Sequence, residues 1–312
     1  MKKELSAYYN LFTDNYKSIK KSFKNKYSKW YPIASNTYTS KKIIVNPSRV
    51  LKCQNLIKEH EGYFSILRGV SFFPLTTMIS TERNPKDFWI NLKKTHDKLC
   101  TEFPRSNYLP LISYILLKKE IEITDRLILR AKWIYNEMKK DFPLKITPEN
   151  YLYAFLSAQK SENDHQNVKK IKDIYSKMID RLPTSRNLLI LCQLVSVFPD
   201  EQHEKLIENI VNINEILENK NLKIGTGKNI ITLGILASFG DNAQEIADNI
   251  CEVYKELRGQ KGFRFFKMSK STCIMYSSMV VANLYKDISD VTFYNVIISN
   301  SLISYSISNQ SD

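Results

Sequence analysis

The sequence predicts an all-α protein made of stacked antiparallel helical hairpins, an α-solenoid. The first observation is that the stretch from Ile134 to Pro143 recurs from Ile174 to Pro183. The second is that an apolar residue of this stretch falls at positions 99, 138, 178, 217 and 257, in steps of 39, 40, 39 and 40. A steady period over five copies is typical of helical-hairpin arrays, because a single hairpin cannot bury its apolar face alone.

Two kinds of segment alternate along the chain. One kind is long and amphipathic and spans 48–60, 85–102, 125–141, 164–181, 201–219 and 242–258. The other is short and almost wholly apolar and spans Phe64 to Ile79, Leu109 to Leu117, Leu152 to Ala158, Leu188 to Val197, Ile230 to Ala237 and Cys273 to Leu284. An apolar helix must be buried, whereas a striped helix faces water on one side. We therefore expect an inner layer of short helices and an outer layer of long ones.

The chain divides into three predicted regions. Residues 1–43 hold a basic amphipathic helix and a linker, residues 44–287 the repeat array, and residues 288–312 a capping helix and tail. The first helix can cover the first repeat with its aromatic stripe, or it can bind a membrane surface or an acidic partner. Covering the first repeat is the favoured interpretation. Residues 32–48 contain Pro32, Pro47 and many Ser and Thr, which predicts an irregular connection.

The net charge of +14 is unevenly distributed. Residues 1–42 hold ten Lys against Glu4 and Asp14 and so carry +8, which leaves +6 for the other 270 residues. Lys, Asn and Ile are abundant and Arg is scarce, which is typical of an AT-rich genome. Such a bias raises the isoelectric point without implying a phosphate-bearing partner.

The cysteines and the chain start indicate a cytoplasmic protein. The five cysteines are dispersed, and no pair forms a C-x-x-C motif: Cys53, Cys100, Cys192, Cys251 and Cys273. An odd, dispersed set predicts reduced thiols that fill the core. The N-terminal charges have no apolar segment behind them, and no run of about 18 apolar residues predicts a membrane span.

No catalytic constellation is visible in the sequence. The four histidines, His60, His96, His165 and His203, have no partners at zinc-binding spacing. His96 occupies the repeat position of Tyr135, which favours a packing role. The sequence therefore predicts no catalytic residue, no metal and no cofactor, and an enzyme with a pocket between the layers is the weakest interpretation.

The candidate binding residues are one arginine and five tyrosines. Arg68 interrupts the apolar run from Phe64 to Ile79, and a buried guanidinium needs acceptors for five donors. An internal carboxylate or carbonyl is the favoured acceptor, and an anionic ligand or a partner's acid is the alternative. The tyrosines recur with the array and are candidate anchors for a partner: Tyr108, Tyr135, Tyr151, Tyr153 and Tyr175. Tyr135 and Tyr175 could instead join neighbouring hairpins.

The stretch Phe64-Ser65-x-x-Arg68-Gly69 resembles the LFSYxRG segment of a bacterial family known as domain of unknown function 4003, common in Firmicutes. Further segments match the family in order: Tyr108-Leu109-Pro110, Ile134 to Lys140, Thr147 to Tyr151, and Leu189 to Ser196. Asp141-Phe142 stand where the family usually has His, and Asn150 departs from its Asp. The similarity spans roughly residues 45–310. It implies a helical protein without an established activity, so it adds no catalytic residue.

Two functional predictions follow. The first is a non-enzymatic scaffold that binds a protein or peptide on the curved surface of the array. The alternative is an array that binds nucleic acid or another anionic ligand through its basic residues, which would have to lie on one continuous face.

Overall fold

The chain is all-α. A computed structural model describes residues 1–24, 27–225, 227, 229–238, 240, 242–264, 268–285, 295–299 and 303. These residues form fourteen α-helices, four short 3-10 helices and a helical stretch at 295–299, and none of them lies in a β-strand. The predicted fold class is therefore confirmed at this level.

The α-helices are α1 Lys3–Phe23, α2 Tyr31–Thr39, α3 Pro47–His60, α4 Phe72–Ser80, α5 Pro85–Leu99, α6 Leu109–Lys118, α7 Asp125–Asp141, α8 Tyr151–Lys160, α9 Asp164–Met178, α10 Arg186–Ser196, α11 His203–Asn219, α12 Asn229–Ala237, α13 Ala243–Gly259 and α14 Lys270–Ala282. The predicted long segments are the odd-numbered helices from α3 to α13. The predicted short segments are the even-numbered helices from α4 to α14. Predicted caps are also observed: Asn84 Oδ1 accepts from Asp87 N at 3.4 Å, and Thr124 Oγ1 accepts from Leu127 N at 3.1 Å.

The chain forms two compact units. The larger unit contains residues 1–9 and 133–286, and the smaller unit contains residues 10–132 and 287–312. Helices α1 and α7 each contribute residues to both units. The predicted boundaries after residues 43 and 287 stay predictions.

In the smaller unit, apolar helices contact each other in series. Helix α2 contacts α4, and α4 contacts α6. The amphipathic helices α3 and α5 contact each other, and each packs on an apolar helix. Every residue of α2 and α4 is buried, whereas α3 buries only one face. The core of this unit therefore lies along α2, α4 and α6.

The larger unit shows the same alternation. Helices α8, α10, α12 and α14 follow one another in contact, and α11 contacts α13. The hairpin pairs α9–α10, α11–α12 and α13–α14 are also in contact. In α12 every residue is buried, as its all-round apolar sequence requires.

Helix α2 corrects the prediction of an irregular connection over residues 32–48. Pro32 lies in the first turn of α2, where a backbone N–H would lack a helical partner in any case. The hydroxyls of Thr37 and Thr39 donate to the carbonyls of Ile33 and Ser35, each at 2.9 Å. Ser and Thr can therefore be buried here because the helix itself accepts their hydrogen bonds.

The two chain ends were predicted to be helical caps. Helix α1 is amphipathic as expected: it buries Phe12 and Ile19 and exposes its lysines. Its start lies in the larger unit, where Gln260 Nε2 donates to the Tyr9 hydroxyl at 3.1 Å. The predicted C-terminal helix is described only at 295–299 and 303, where Asn295 accepts from Asn36 at 2.7 Å. Its other residues lie outside the described part of the chain.

Lysines connect the C-terminal ends of successive apolar helices. At the end of α8, Lys160 Nζ donates to Ser196 O at 2.9 Å, to Phe198 O and to Asp200 Oδ1 at 2.9 Å. The first two acceptors are carbonyls at and just beyond the C-terminal end of α10. The last carbonyls of a helix have no helical N–H partner and carry partial negative charge. An ammonium group supplies these carbonyls with both a hydrogen-bond donor and a positive charge.

A buried acid occupies the equivalent place in the smaller unit. Glu82 follows α4 and accepts from Lys118 Nζ and from the Tyr114 hydroxyl, each at 2.8 Å. Lys41, which follows α2, donates to Thr81 Oγ1 at 2.7 Å and lies 3.5 Å from Glu82. Burial raises the pKa of Glu82, whereas the hydrogen bond from Lys118 and the charge of Lys41 lower it. The two lowering effects together prevail, so the pKa of Glu82 lies below its ordinary value.

Candidate functional site

The connection between α3 and α4, residues 61–71, is the candidate binding site and is called the α3–α4 loop. The sequence predicted a helix from Phe64 to Ile79 that includes Arg68, and this is wrong: α4 begins at Phe72. Glu61 ends α3 with extended backbone, and Ser65 is extended too. The Ser65 hydroxyl accepts from Leu67 N at 3.3 Å and starts the one-turn 3-10 helix Ile66–Arg68. Arg68 therefore lies in a half-buried loop and not inside an apolar helix.

Gly69 fixes the far end of the loop. A Cβ at this position would lie 2.5 Å from Asn107 Oδ1. The same oxygen accepts from Val70 N at 3.4 Å. The amide of Asn107 thus occupies the space that a side chain at residue 69 would need.

Glu61 organises the near end of the loop. Its side chain is only 10% exposed. Ser65 Oγ donates to Glu61 Oε2 at 2.6 Å, Lys93 Nζ lies 3.7 Å from Oε1, and Arg68 Nη1 donates to the main-chain oxygen at 3.0 Å. Oε1 is buried and has no hydrogen bond from the described residues. The carboxylate of Glu61 is therefore used by Ser65 and Lys93 and not by Arg68.

Two aromatic side chains project from this loop into solvent. Tyr63 is 79% exposed and Phe64 is 96% exposed. Their ring centroids are 5.2 Å apart in an edge-to-face arrangement. The Arg68 guanidinium carbon lies 5.6 Å from the Tyr63 centroid. The loop thus presents an aromatic pair with a cation on one side.

A histidine of α5, His96, lies next to Cys100, the residue that follows this helix. Cys100 Sγ is 3.7 Å from His96 Nε2 and 3.9 Å from Nδ1, so it faces the ring without pointing at one nitrogen. His96 Nδ1 is 3.7 Å from Asp97 Oδ1. Burial lowers the pKa of His96 and raises the pKa of the Cys100 thiol. Both effects favour the neutral pair, which is a poor starting point for nucleophilic chemistry.

The five candidate tyrosines are all buried: Tyr108, Tyr135, Tyr151, Tyr153 and Tyr175. Tyr135 on α7 and Tyr151 on α8 meet edge to face with centroids 4.6 Å apart. Burial raises the pKa of both phenols and raises that of Tyr153 well above its ordinary value. Tyr135 and Tyr151 therefore join α7 to α8, and all five rings are buried within the fold.

Tyr175 shows the same behaviour with a charged neighbour. The ring of Phe142 meets it at 5.2 Å, and Lys145 Nζ lies 4.8 Å from its centroid and bonds its hydroxyl. This contact joins α9 to the segment that follows α7. As an anchor for a partner, Tyr175 would have to leave this arrangement.

Two of the sequence segments that resemble a known family meet in the larger unit. Asn150 Nδ2 donates to Gln193 Oε1 at 2.6 Å, and Arg186 Nη2 donates to Glu149 Oε2. Glu149 is 1% exposed, so its charge is compensated inside the protein. This network connects the start of α8 to α10.

The comparisons with known proteins agree with the motifs. The model of a family described as protein of unknown function (DUF4003) matches residues 15–310. The chain belongs to the DUF4003 family. The match begins within α1, well before residue 45, where the motif similarity was predicted to begin. No match to this DUF4003 protein is found among curated proteins or among solved structures, and the Firmicutes origin stays a prediction.

Three further findings on the DUF4003 chain concern metal-binding side chains, membrane spans and cysteines. Among the described residues, no group of three or more His, Cys, Asp or Glu side chains is placed to hold a metal ion. No helix in the described ranges combines the length and apolar character needed to cross a membrane. All five cysteines are free, and Cys100 is half-buried while the other four are buried.

The exposed aromatic pair was missed by sequence reasoning. Phe64 was assigned to a buried helix from Phe64 to Ile79, and Tyr63, just before that segment, was given no role. Gly62 and Gly69, which flank the pair, were the local sign of a loop. Arg68 was identified as a candidate, but Glu61, which it contacts, and Lys93, which lies beside Glu61, were not.

Proposed function

We propose that this DUF4003 protein is a cytoplasmic, non-catalytic scaffold whose hairpins form a repeat array. In this proposal it binds a protein or peptide through the α3–α4 loop. The contact pattern supports the array, since apolar helices follow one another within each unit and amphipathic helices cover them. The free cysteines support a reducing compartment.

The observation that carries the binding proposal is the exposure of Tyr63 and Phe64. Full burial of one such side chain contributes about 2 kcal/mol, so two exposed rings leave a substantial contribution unused in the free protein. Tyrosine and other aromatic residues are enriched among residues that dominate binding energy.

The loop is also held in place before any partner arrives. Ser65 bonds Glu61, Arg68 bonds the Glu61 carbonyl, and Asn107 bonds Val70. A preorganised surface loses less conformational entropy on binding than a disordered one. The ordered loop therefore favours a role in binding a partner over incidental exposure of two aromatic residues.

A photocrosslinking experiment tests the proposal. A photoreactive phenylalanine analogue is placed at residue 64, and as a matched control at residue 144, where Leu144 is 94% exposed. We expect irradiation in cells of the source organism to give a discrete crosslinked protein from residue 64 and not from residue 144. Identical crosslinking patterns from both positions would contradict a binding role for the loop.

A further inference from the structure

We propose that the α3–α4 loop binds a peptide segment in which a carboxylate lies close to an apolar side chain, with Arg68 as the carboxylate receptor. This inference rests on the proposed function and adds the chemistry of the partner. Three features carry it: the unused donors of Arg68, the placement of Glu61, and the aromatic pair beside them.

Arg68 offers more donors than the protein uses. Its guanidinium donates one hydrogen bond, from Nη1 to Glu61 O at 3.0 Å, and its carbon lies over the Tyr63 ring at 5.6 Å. Within the described residues it forms no ion pair with a carboxylate. A guanidinium has five N–H donors whose planar fork matches a carboxylate. The cation–π contact with Tyr63 places this fork beside the aromatic pair.

The residue whose main chain accepts from Arg68 is itself an acid, Glu61, but its carboxylate has other partners. The Glu61 carboxylate accepts from Ser65 Oγ at 2.6 Å and faces Lys93 Nζ at 3.7 Å. Lys93 in turn bonds Asp97 Oδ1 at 2.6 Å. The carboxylates of Glu61 and Asp97 are therefore engaged by other groups, and the positive charge of Arg68 is complementary to an acid from outside the chain.

The aromatic pair defines what should lie beside that acid. The Phe64 centroid lies 5.2 Å and the Arg68 guanidinium carbon 5.6 Å from the Tyr63 centroid, so Phe64 and Arg68 are at most about 11 Å apart. An apolar side chain on Phe64 and a carboxylate on Arg68 would both lie beside the same tyrosine. Because an extended chain advances about 3.3 Å per residue, the two groups should be within about four residues of each other in the peptide.

The local charge favours one carboxylate over a polyanion. Residues 58–69 contain two basic residues, Lys58 and Arg68, and two acidic residues, Glu59 and Glu61. With histidine neutral, their net charge is zero. Proteins that bind single-stranded nucleic acid combine aromatic stacking with a positively charged groove along the backbone. This loop has the aromatic residues and one cation, but no excess of positive charge.

The test is selection of peptides from a random phage-displayed library on the intact chain. We expect enriched peptides to carry Asp or Glu within about four residues of an apolar residue. Enriched peptides without an acid would overturn the inference and leave peptide binding intact. Absence of any enrichment would overturn the proposed function itself.

A labelled peptide from the selection then separates Arg68 from general adhesion. We expect Arg68→Met to weaken binding roughly tenfold or more, as loss of a charge-assisted hydrogen bond predicts, and Phe64→Ser to weaken it comparably. Leu144→Ser, which removes an equally exposed apolar residue elsewhere, should leave the affinity unchanged. Equal loss in Leu144→Ser would show adhesion and overturn the inference.

Two probes complete the assignment. The peptide with its acid replaced by the corresponding amide should bind wild type and Arg68→Met with equal affinity, because the guanidinium then has no charged acceptor. A remaining difference between the two proteins would contradict the carboxylate role. Tighter binding of a single-stranded oligothymidylate than of the acidic peptide would overturn it in favour of nucleic acid. Unchanged circular dichroism and melting temperature establish that the variants are folded.

Discussion

The α3–α4 loop and the segment 142–150, which connects α7 to α8, occupy the same place in a hairpin but handle charge differently. Each contains an acid whose side chain is at most 10% exposed and which contacts an arginine. In segment 142–150, Glu149 receives the guanidinium of Arg186 directly. In the α3–α4 loop, the Glu61 carboxylate is engaged by Ser65 and Lys93. The arginine of this loop, Arg68, donates to the Glu61 main-chain oxygen and not to the carboxylate. One arrangement completes the interior, whereas the other leaves a cation and two aromatic rings at the surface.

The difference shows how a shared architecture can hold one specialised position. Burying an acid requires a partner, because an uncompensated charge in the interior is costly. When the adjacent arginine supplies the partner, the arginine is no longer available for binding. When Lys93 and Ser65 supply it, Arg68 stays available.

The largest expected effect distinguishes the two arginines by stability. Arg186→Met removes the guanidinium from buried Glu149 and should destabilise the protein by about 2 kcal/mol, less than a fully buried pair because Arg186 is one-third exposed. Arg68→Met should change stability by at most about 0.5 kcal/mol. Urea unfolding of the two variants measures the difference. Similar losses in both would break the comparison.

Two glycines provide the next contrast. Gly234→Ala on α12 places a methyl group 2.4 Å from Leu191 Cδ1 in the core and should cost about 1–3 kcal/mol through overpacking. Gly69→Ala places a methyl group 2.5 Å from Asn107 Oδ1 and 3.0 Å from Ile66 O. Because residue 69 is exposed and the Asn107 amide can move, a smaller loss is expected together with weaker peptide binding. Thermal melts and binding titrations on the same samples test both effects. A larger loss of stability in Gly69→Ala would show that the loop is part of the core.

Acid should weaken the protein through His96. Burial lowers the pKa of His96 below the 6.5 of an unfolded chain, so the unfolded state binds its proton first. Stability should therefore be complete above about pH 6.5 and fall as the pH is lowered towards the pKa of folded His96. The titratable groups near the ring are Asp97, Lys93, Glu61 and the Cys100 thiol.

Melting curves recorded between about pH 7.5 and about pH 5, a range that brackets the ordinary pKa of histidine, test whether His96 causes the loss of stability in acid. His96→Asn should lose less stability on acidification than wild type does, because it has no proton to bind. Exposed His60 provides the control, and His60→Asn should follow the wild-type profile. A wild-type profile in His96→Asn would assign the acid sensitivity to another group.

The smallest expected effect on stability belongs to the aromatic pair. Tyr63 and Phe64 are so exposed that replacing both by Ser should change the free energy of unfolding by less than about 0.5 kcal/mol. The same double variant should lose peptide binding. A clear destabilisation measured by urea unfolding would mean that the rings support the fold.

The spacing of apolar residues predicted most helices, because the buried residues of a helix recur every three or four positions along the chain. The stripe of α9, for example, follows from Val168, Ile171, Ile174, Tyr175 and Met178, all buried in the structure. Proline and capping residues set the starts of α5 and α7 within the sequence itself. These features depend on neighbours along the chain, so the sequence alone was sufficient.

Features that depend on distant partners were not predictable in this way. The start of α4 was misplaced because Phe64 and Phe72 are equally apolar, although one is exposed and the other buried. Helix α2 was missed because its buried Thr37 and Thr39 are satisfied by the helix that they belong to. The role of Glu61 depends on Lys93 on another helix. The candidate site was therefore located only in part, through Arg68.

The bond from Lys160 to the end of α10 also bears on how the chain folds during synthesis. Lys160 precedes one of its acceptors, the Ser196 carbonyl, by 36 residues. A nascent chain emerges from the ribosome N-terminus first, so α8 and its lysine are available before α10 has been made. The hydrogen-bond donor for the end of α10 has thus already been synthesised when α10 packs against α8. Assembly of this part of the chain is in this sense directional, with an earlier helix completing the end of a later one.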